Sequence, residues 1–244
     1  MAEEMANRSI TVVSHAASFD VNPTAYSPAA QALALEETKK SLEFAKIIGS
    51  SRVTLHGGFN SFGGRFSRFD LMLLEKFIEE VLAYLDDNRL GIEICVENEA
   101  ATVNASRPLE SVIAIEDILS KFDQVRMTLD LAHVLKSSQM AGMLQIRDKR
   151  LDADAISPFL DLHADRVAIL HISEPDKYRT HGRIDQADGG TFVPLFMDVA
   201  TRLAGRDIPC ILEYETAGFQ SLENATDAID SDISFLRDLI QSGT

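Results

Sequence analysis

Between residues 125 and 130 the chain alternates: Val125, Met127 and Leu129 are apolar, while Arg126, Thr128 and Asp130 are polar. A period of two is the pattern of a strand with one buried face. Short segments rich in β-branched residues recur at Ile10–His15, Val53–His56, Ile92–Glu97, Val167–His171 and Pro209–Glu213. Each is apolar enough to be covered on both faces, as strands of a parallel sheet are. All six end on a histidine or a carboxylate: His15, His56, Glu97, Asp130, His171 and Glu213. These ends recur at roughly forty-residue intervals, which reads as a strand–helix repeat too loose for a solenoid.

Parity sharpens the pattern, because residues two apart on a strand share a face. Glu97 shares a face with Cys95 and Glu93, Asp130 with Thr128 and Arg126, His56 with Thr54, and His171 with Ile169 and Val167. Each polar end thus lies away from the face that would meet helices. In a parallel barrel all six would stand at the C-terminal mouth.

The intervening segments read as helices. Ser27-Pro28 gives a cap and a first-turn proline, Leu33, Leu42, Phe44 and Ile47 an apolar stripe, and Gly49 a stop. Phe69–Leu85 is amphipathic. Ser106 followed by Pro108 opens a helix that should bury Val112, Ile115, Ile118 and Leu119, and Thr191–Leu203 and Ser221–Ile240 complete the set. His163, in FLDLHAD, belongs on a helix surface. Strands alternating with helices predict an α/β, TIM-barrel-like parallel repeat with right-handed crossovers.

A full barrel of this kind has about eight strands, and six are legible. Ala2–Asn7 reads as the tail of a helix. The expectation is an incomplete barrel of about six βα units that lacks the first two strands and is open beside Ile10–His15. Apolar residues at the gap should be exposed or covered by a second copy. Residues 1–244 are expected to form a single domain, since the chain contains no linker-like or low-complexity tract.

Composition narrows the function classes. The 244 residues are 45% hydrophobic, ample for a core, and carry a formal charge of −15 with a pI near 4.7. Such a surface repels phosphate backbones and weighs against nucleic acid as a partner. The sequence contains no apolar run of membrane-spanning length, and MAEEMANRS lacks the apolar segment of a signal peptide. Cys95 and Cys210 fall in apolar strand-like runs and are read as buried thiols, which fits a cytoplasmic protein.

Each strand end has a bland explanation when taken alone. Strand-end histidines such as His15 and His56 are ordinarily hydrogen-bonded, Asp130 can cap the helix starting at Leu131, and Glu213 and Glu215 share a face, so that one of them can be structural. The joint pattern changes the reading, because converging carboxylates repel one another unless a cation or protons compensate. Mixed Glu, Asp and His suit a divalent metal ion such as Zn²⁺ or Mn²⁺, and a carboxylate-rich set also admits Mg²⁺. The polar loop after His171, with Lys177, Arg179, His181, Arg183 and Asp185, is the expected substrate-contacting segment. Gly57-Gly58 and Gly63-Gly64 leave room for close backbone approach to an anion, a signal of low specificity.

The runs SHAASFDVNP, LEFAKIIGSSRVTLHGG, ICVENEA, TLDLAH, LHISE and ILEYE, in this order and spacing, resemble the xylose-isomerase-like TIM-barrel superfamily. That superfamily holds sugar and sugar-phosphate isomerases and epimerases together with the endonuclease IV class of AP endonucleases. The resemblance implies a metal set of Glu97, Asp130, His171 and Glu213, with His15, His56 and His133 matching further ligands of the endonucleases. It implies a metal-dependent isomerase or epimerase of a small sugar or sugar phosphate, in which Glu97 and Glu213 exchange a proton with substrate carbon while His133, Lys177 and His181 contact the substrate. The alternatives are an AP-endonuclease-like phosphodiesterase acting on DNA and a degenerate, non-catalytic barrel. The endonucleases hold a third zinc through an Asp-x-His motif before the last strand; here that stretch reads Arg183-Ile184-Asp185, with His181 just upstream. The expected partners are a small polyhydroxy substrate and a second copy across the open edge, with no membrane.

Overall fold

The computed structural model describes residues 10–60, 67–100, 107–141, 150–175, 181–184, 192–214 and 221–242. Strands β1 (Val13–His15), β2 (Arg52–Leu55), β3 (Glu93–Glu97), β4 (Arg126–Asp130), β5 (Val167–Ile172) and β6 (Cys210–Leu212) pair in chain order, each neighbour parallel. Helices α1 (Pro28–Ile48), α2 (Arg68–Asp87), α3 (Val112–Lys121), α4 (Leu131–Ala141), α5 (Ile156–His163), α6 (Phe192–Arg202) and α7 (Leu222–Ser242) fill the crossovers and the C-terminal end.

The sheet curls into a half-barrel. In a flat sheet, strands four places apart would stand about 19 Å from each other, yet the rings of His15 on β1 and His171 on β5 are 6.2 Å apart. Across the concave face Arg52 donates to the Ala168 carbonyl at 3.0 Å, and the Thr54 and Thr128 hydroxyls meet at 2.8 Å. The concave side chains form layers. Arg52, Glu93 and Arg126 make an ion-paired layer at the N-terminal end, with contacts of 3.2 and 3.6 Å. Val13, Cys95, Ile169 and Ile211 pack in the middle, and the histidines and acids occupy the mouth.

The convex face is the main core. Helix α2 opens with a reciprocal capping box between Ser67 and Asp70 and buries Leu71, Leu74, Phe77, Ile78, Val81 and Leu85. Helix α3 buries Val112, Ile115, Ile118 and Leu119 as expected. Its approach differs: Pro108–Glu110 forms a separate 3₁₀ turn, and Ser106 lies outside the described residues.

Helix α1 corrects the sequence reading. It buries Ala34, Thr38, Leu42 and Ala45, whereas Leu33, Phe44 and Ile47 are more than half exposed. Leu42 lies opposite the other three at 100° per residue, so the expected stripe mixed two faces. The small residues let α1 lie close to the sheet. Ser27 makes no side-chain cap bond, while Gly49 ends the helix at φ 78°, a conformation glycine adopts without steric cost.

Strands β1 and β6 are the sheet's edges, with one strand neighbour each. Ile10, Phe44, Ile47 and Ile240 are exposed, and a cavity of about 390 Å³ beside β6 is lined by Ile172, Cys210, Leu212, Ile233, Leu236 and Ile240. Both thiols are free, but only Cys95 is buried; Cys210 is exposed because its strand has no neighbour on one side. His163 ends α5 at the surface, 3.6 Å from Glu116. Among the described residues no helix is long and apolar enough to cross a membrane.

Candidate metal centre

Strands β1, β3 and β4 end on His15, Glu97 and Asp130. His56 and Glu213 stand one residue beyond β2 and β6, and His171 is the penultimate residue of β5. Parallel register sets Asp130 directly opposite His171. Of the chain's 6 histidines, all but His163 gather at this mouth. They form three contiguous groups of possible ligands: His15, His56 and Glu97; Glu97, Asp130, His171 and Glu213; and Asp130, His133 and His181. Within each group the ligand atoms lie within 4.8 Å of one another. Glu97 and Asp130 are each shared by two groups.

In the central group, His171 Nδ1 lies 3.0 Å from Glu97 Oε1, 2.9 Å from Glu213 Oε2 and 3.8 Å from Asp130 Oδ2. One ring nitrogen carries at most one proton, and it is aligned with Glu97. Glu213 Oε2, though close, and Asp130 Oδ2 are buried without a hydrogen-bond partner among the described residues. Buried carboxylate oxygens left unsatisfied cost free energy, and a divalent cation accepts all three carboxylates and the imidazole at once. The donor set therefore fits a divalent metal ion.

In the first group, His15 Nε2, His56 Nε2 and Glu97 Oε2 form a triangle with edges of 3.2, 3.2 and 3.0 Å. His15 Nδ1 donates to the Ala16 carbonyl and His133 Nδ1 to the Asn98 carbonyl, each at 2.7 Å. A carbonyl only accepts, so in the neutral form both rings keep Nε2 as the lone-pair atom. In the third group His181 Nδ1 bonds Ser173 Oγ at 3.0 Å and lies 3.8 Å from Asp130 Oδ2. Paired backbone hydrogen bonds join Glu174 to Gly182 and hold His181 at the mouth.

The electrostatics reflect an acid-rich pocket compensated by protons. Burial pushes the Glu97 carboxyl up, but hydrogen bonds from His15, His171 and His56 hold it well below the usual carboxylate range. Burial opposes the charge on His171, yet Glu213 and Glu97 raise its pKa to about 10. Burial and the Glu97 charge push Asp130 up to about 8. Burial raises the Glu213 carboxyl, but the close His171 nitrogen and the charges of His181 and His171 together outweigh it, for a net downward shift. Burial holds His133 below the ordinary imidazole range.

Two residues that shape the site escaped the sequence reading. The Asn98 amide bridges β3 to β4, donating to the Asp130 carbonyl at 3.0 Å and accepting from the Asp130 N–H at 2.7 Å. Its own carbonyl holds His133. Glu99 is buried behind His56. Both follow Glu97 in the ENE run, where the strand's parity ends and periodicity carries no information. The glycines after His56 make room for protein and not for an anion: a Cβ on Gly57 would stand 2.7 Å from Leu109, and one on Gly58, at φ +86°, 2.5 Å from Asn22 Oδ1. His181, expected at the substrate, stands at the mouth beside Asp130 and among the possible ligands. Lys177, Arg179, Asp185, Glu215 and Gly63-Gly64 lie outside the described residues.

A parallel half-barrel with clustered His, Asp and Glu at its C-terminal mouth defines a TIM-type barrel with a candidate metal centre. The sequence matches the xylose isomerase-like TIM barrel over residues 1–239, and the chain belongs to that family. Among solved structures it is similar to a D-tagatose 3-epimerase-like protein, with a TM-score of 0.72 and 17% identity over 100% of this chain and 83% of that one. It is likewise similar to an L-ribulose 3-epimerase, with a TM-score of 0.72 and 14% identity over 99% and 79%. A 3-keto-D-glucoside 4-epimerase from E. coli matches with a TM-score of 0.63 and 13% identity over 97% and 82%. At these identities the likeness is one of fold. No curated protein matches the sequence.

Proposed function

We propose that the protein is a metal-dependent isomerase or epimerase of a small sugar or sugar phosphate. The observation that carries this reading is the placement of Glu97 and Glu213 on either side of His171 Nδ1, at 3.0 and 2.9 Å, beside the unpartnered Asp130 Oδ2. Glu97, Asp130, His171 and Glu213 would hold a divalent cation, whose chemistry is to polarise the substrate's carbonyl and hydroxyl oxygens. One of the two glutamates, ionised, takes a proton from substrate carbon, and the other, protonated, gives one to the opposite face, the two exchanging roles in the reverse reaction. His133 and His181, with Lys177 of the loop after β5, orient hydroxyls or a phosphate. The sugar 3-epimerases among the fold's relatives support the substrate class.

One observation favours a second reading, an AP-endonuclease-like phosphodiesterase. The three ligand groups are contiguous, and Glu97 Oε2 already faces His15 and His56. If cations filled all three groups, Glu97 would bridge two of them and could not serve as a carbon base. The charge of −15 opposes DNA binding. Metal stoichiometry, measured alongside turnover of ketoses and cleavage of abasic-site DNA, separates the two. One tightly held cation per chain with sugar turnover supports the isomerase; two or three cations with salt-sensitive DNA cleavage would replace it.

A further inference from the structure

His15 and His133 each have Nδ1 held by a main-chain carbonyl. Among the described residues His56 has no such carbonyl. Its Nε2 faces Glu97 and His15, and its Nδ1 faces the Glu99 carboxylate, with Oε1 at 3.9 Å. Glu99 is held firmly there. Its N–H donates to the Leu109 carbonyl at 2.9 Å, and Arg107 donates to Oε1 at 3.2 Å. Its side chain is 1% exposed, and Oε2 has no hydrogen-bond partner. Gly57 makes the approach possible, since a Cβ at that position would stand 3.0 Å from Oε2.

We infer that Glu99, steered by Arg107 into the space left by Gly57, is the positioning residue that presents Nε2 of His56 to a cation in the His15–His56–Glu97 group. The inference rests on the His15–His56–Glu97 group holding a cation beside that of the central group, the arrangement of the second reading above. A carboxylate beside Nδ1 favours the tautomer whose N–H points at it and disfavours the one that would set a lone pair against its charge. In the metal-free fold Nε2 donates to Glu97 Oε2 at 3.0 Å; a cation taking the place of that proton leaves the ring N–H on Nδ1, facing Glu99, and Nε2 as the lone-pair atom. A carboxylate behind a ligating histidine fixes the ring and raises its basicity, and losing such a partner costs about 10–100-fold in metal affinity.

The test uses cobalt(II) and zinc(II) as probes with the Glu99→Leu and Glu99→Gln variants of the full chain. Chelator competition should show about 10–100-fold weaker retention of one cation in Glu99→Leu, with the remaining stoichiometry unchanged. The amide in Glu99→Gln keeps an acceptor oxygen and should restore part of the loss. Nitrogen-15 spectra of the zinc-loaded protein should show a protected His56 Nδ1–H in the wild type, exchanging rapidly in Glu99→Leu. A His56 signal and cation retention unchanged in both variants would overturn the role of Glu99 while leaving the metal centre standing. A wild-type chain that retains no cation at this group would overturn the inference while leaving the Glu97–Asp130–His171–Glu213 centre standing.

Discussion

Asp130 faces two ways. Its Oδ1 accepts from the His133 backbone N–H at 2.7 Å and so caps helix α4, while its Oδ2 points into the acid cluster without a hydrogen-bond partner. The capping role and the metal role use different oxygens, so they can be separated by substitution. Asp130→Asn keeps an acceptor for the cap and removes the charge. The metal-free variant should melt at or above the wild-type temperature, because burial and the Glu97 charge disfavour a carboxylate there. Cation affinity should fall by at least about 100-fold, the upper range found for losing a mere second-sphere partner. Asp130→Ala also removes the cap and should cost about 1 kcal/mol more, or about 2–4 °C in a chain of this size. Melting curves with and without metal check both. Equal metal affinity in Asp130→Asn and wild type would remove Asp130 from the centre.

Cation binding should release protons. The pKa of His171 stands at about 10 in the metal-free fold, above its ordinary value of 6.5. A raised folded-state pKa means the protonated pair stabilises the fold fully below about 6.5, and this stabilisation is lost as pH rises through about 10. A metal needs the neutral ring, so affinity should climb with pH across that window. Asp130, raised to about 8, adds a second proton at neutral pH. Calorimetry in buffers of different ionisation enthalpy should find about two protons released at pH 7 and about one at pH 9. No release at pH 7 would mean that the cation binds elsewhere.

What the sequence made legible follows from what periodicity encodes. Alternation located the strands and placed Glu97, Asp130 and His171 on one face, because a strand's parity is fixed by its backbone. Boundaries drifted where a strand lies at the edge. Ile10–His15 shrank to Val13–His15 and Pro209–Glu213 to Cys210–Leu212, since an edge strand has one neighbour to define it. Cys210 was misjudged for the same reason: an apolar run implies burial only if something covers it. His181 shows a different limit. It reaches Asp130 through the backbone pairing of Glu174 with Gly182, a loop geometry that leaves no spacing signature.

Glu213 should be indispensable to turnover and dispensable to folding. It stands just beyond the edge strand β6 and its side chain is 34% exposed, so the core does not depend on it. Glu213→Gln preserves the shape but removes the charge that holds His171 protonated and the oxygen that would accept a proton from carbon. The variant should keep the wild-type circular dichroism spectrum and lose turnover by at least about 100-fold, the low end of what a positioned acid or base contributes. The His171 pKa should fall at the same time, measurable by proton NMR titration of the metal-free protein. A variant with wild-type rate would assign the proton transfer to other groups.

The open side of the half-barrel makes the two cysteines behave differently. Cys95 is buried in the middle of the concave face, and burial pushes its thiol up to about 12. Cys210 lies on the edge strand β6 and lines the cavity beside it. Burial of part of its surroundings raises its pKa as well, so neither is an activated thiolate and access decides the rates. A thiol reagent applied to the native protein should titrate Cys210 within minutes, while Cys95 should react only in denaturant. If a second copy covers β6, the Cys210 rate should rise on dilution as copies separate, and a bulky adduct there should shift the sedimentation profile toward a single chain. A Cys210 rate independent of protein concentration would show that the edge faces solvent, and rapid modification of both thiols would mean that the sheet is not curled closed over Cys95.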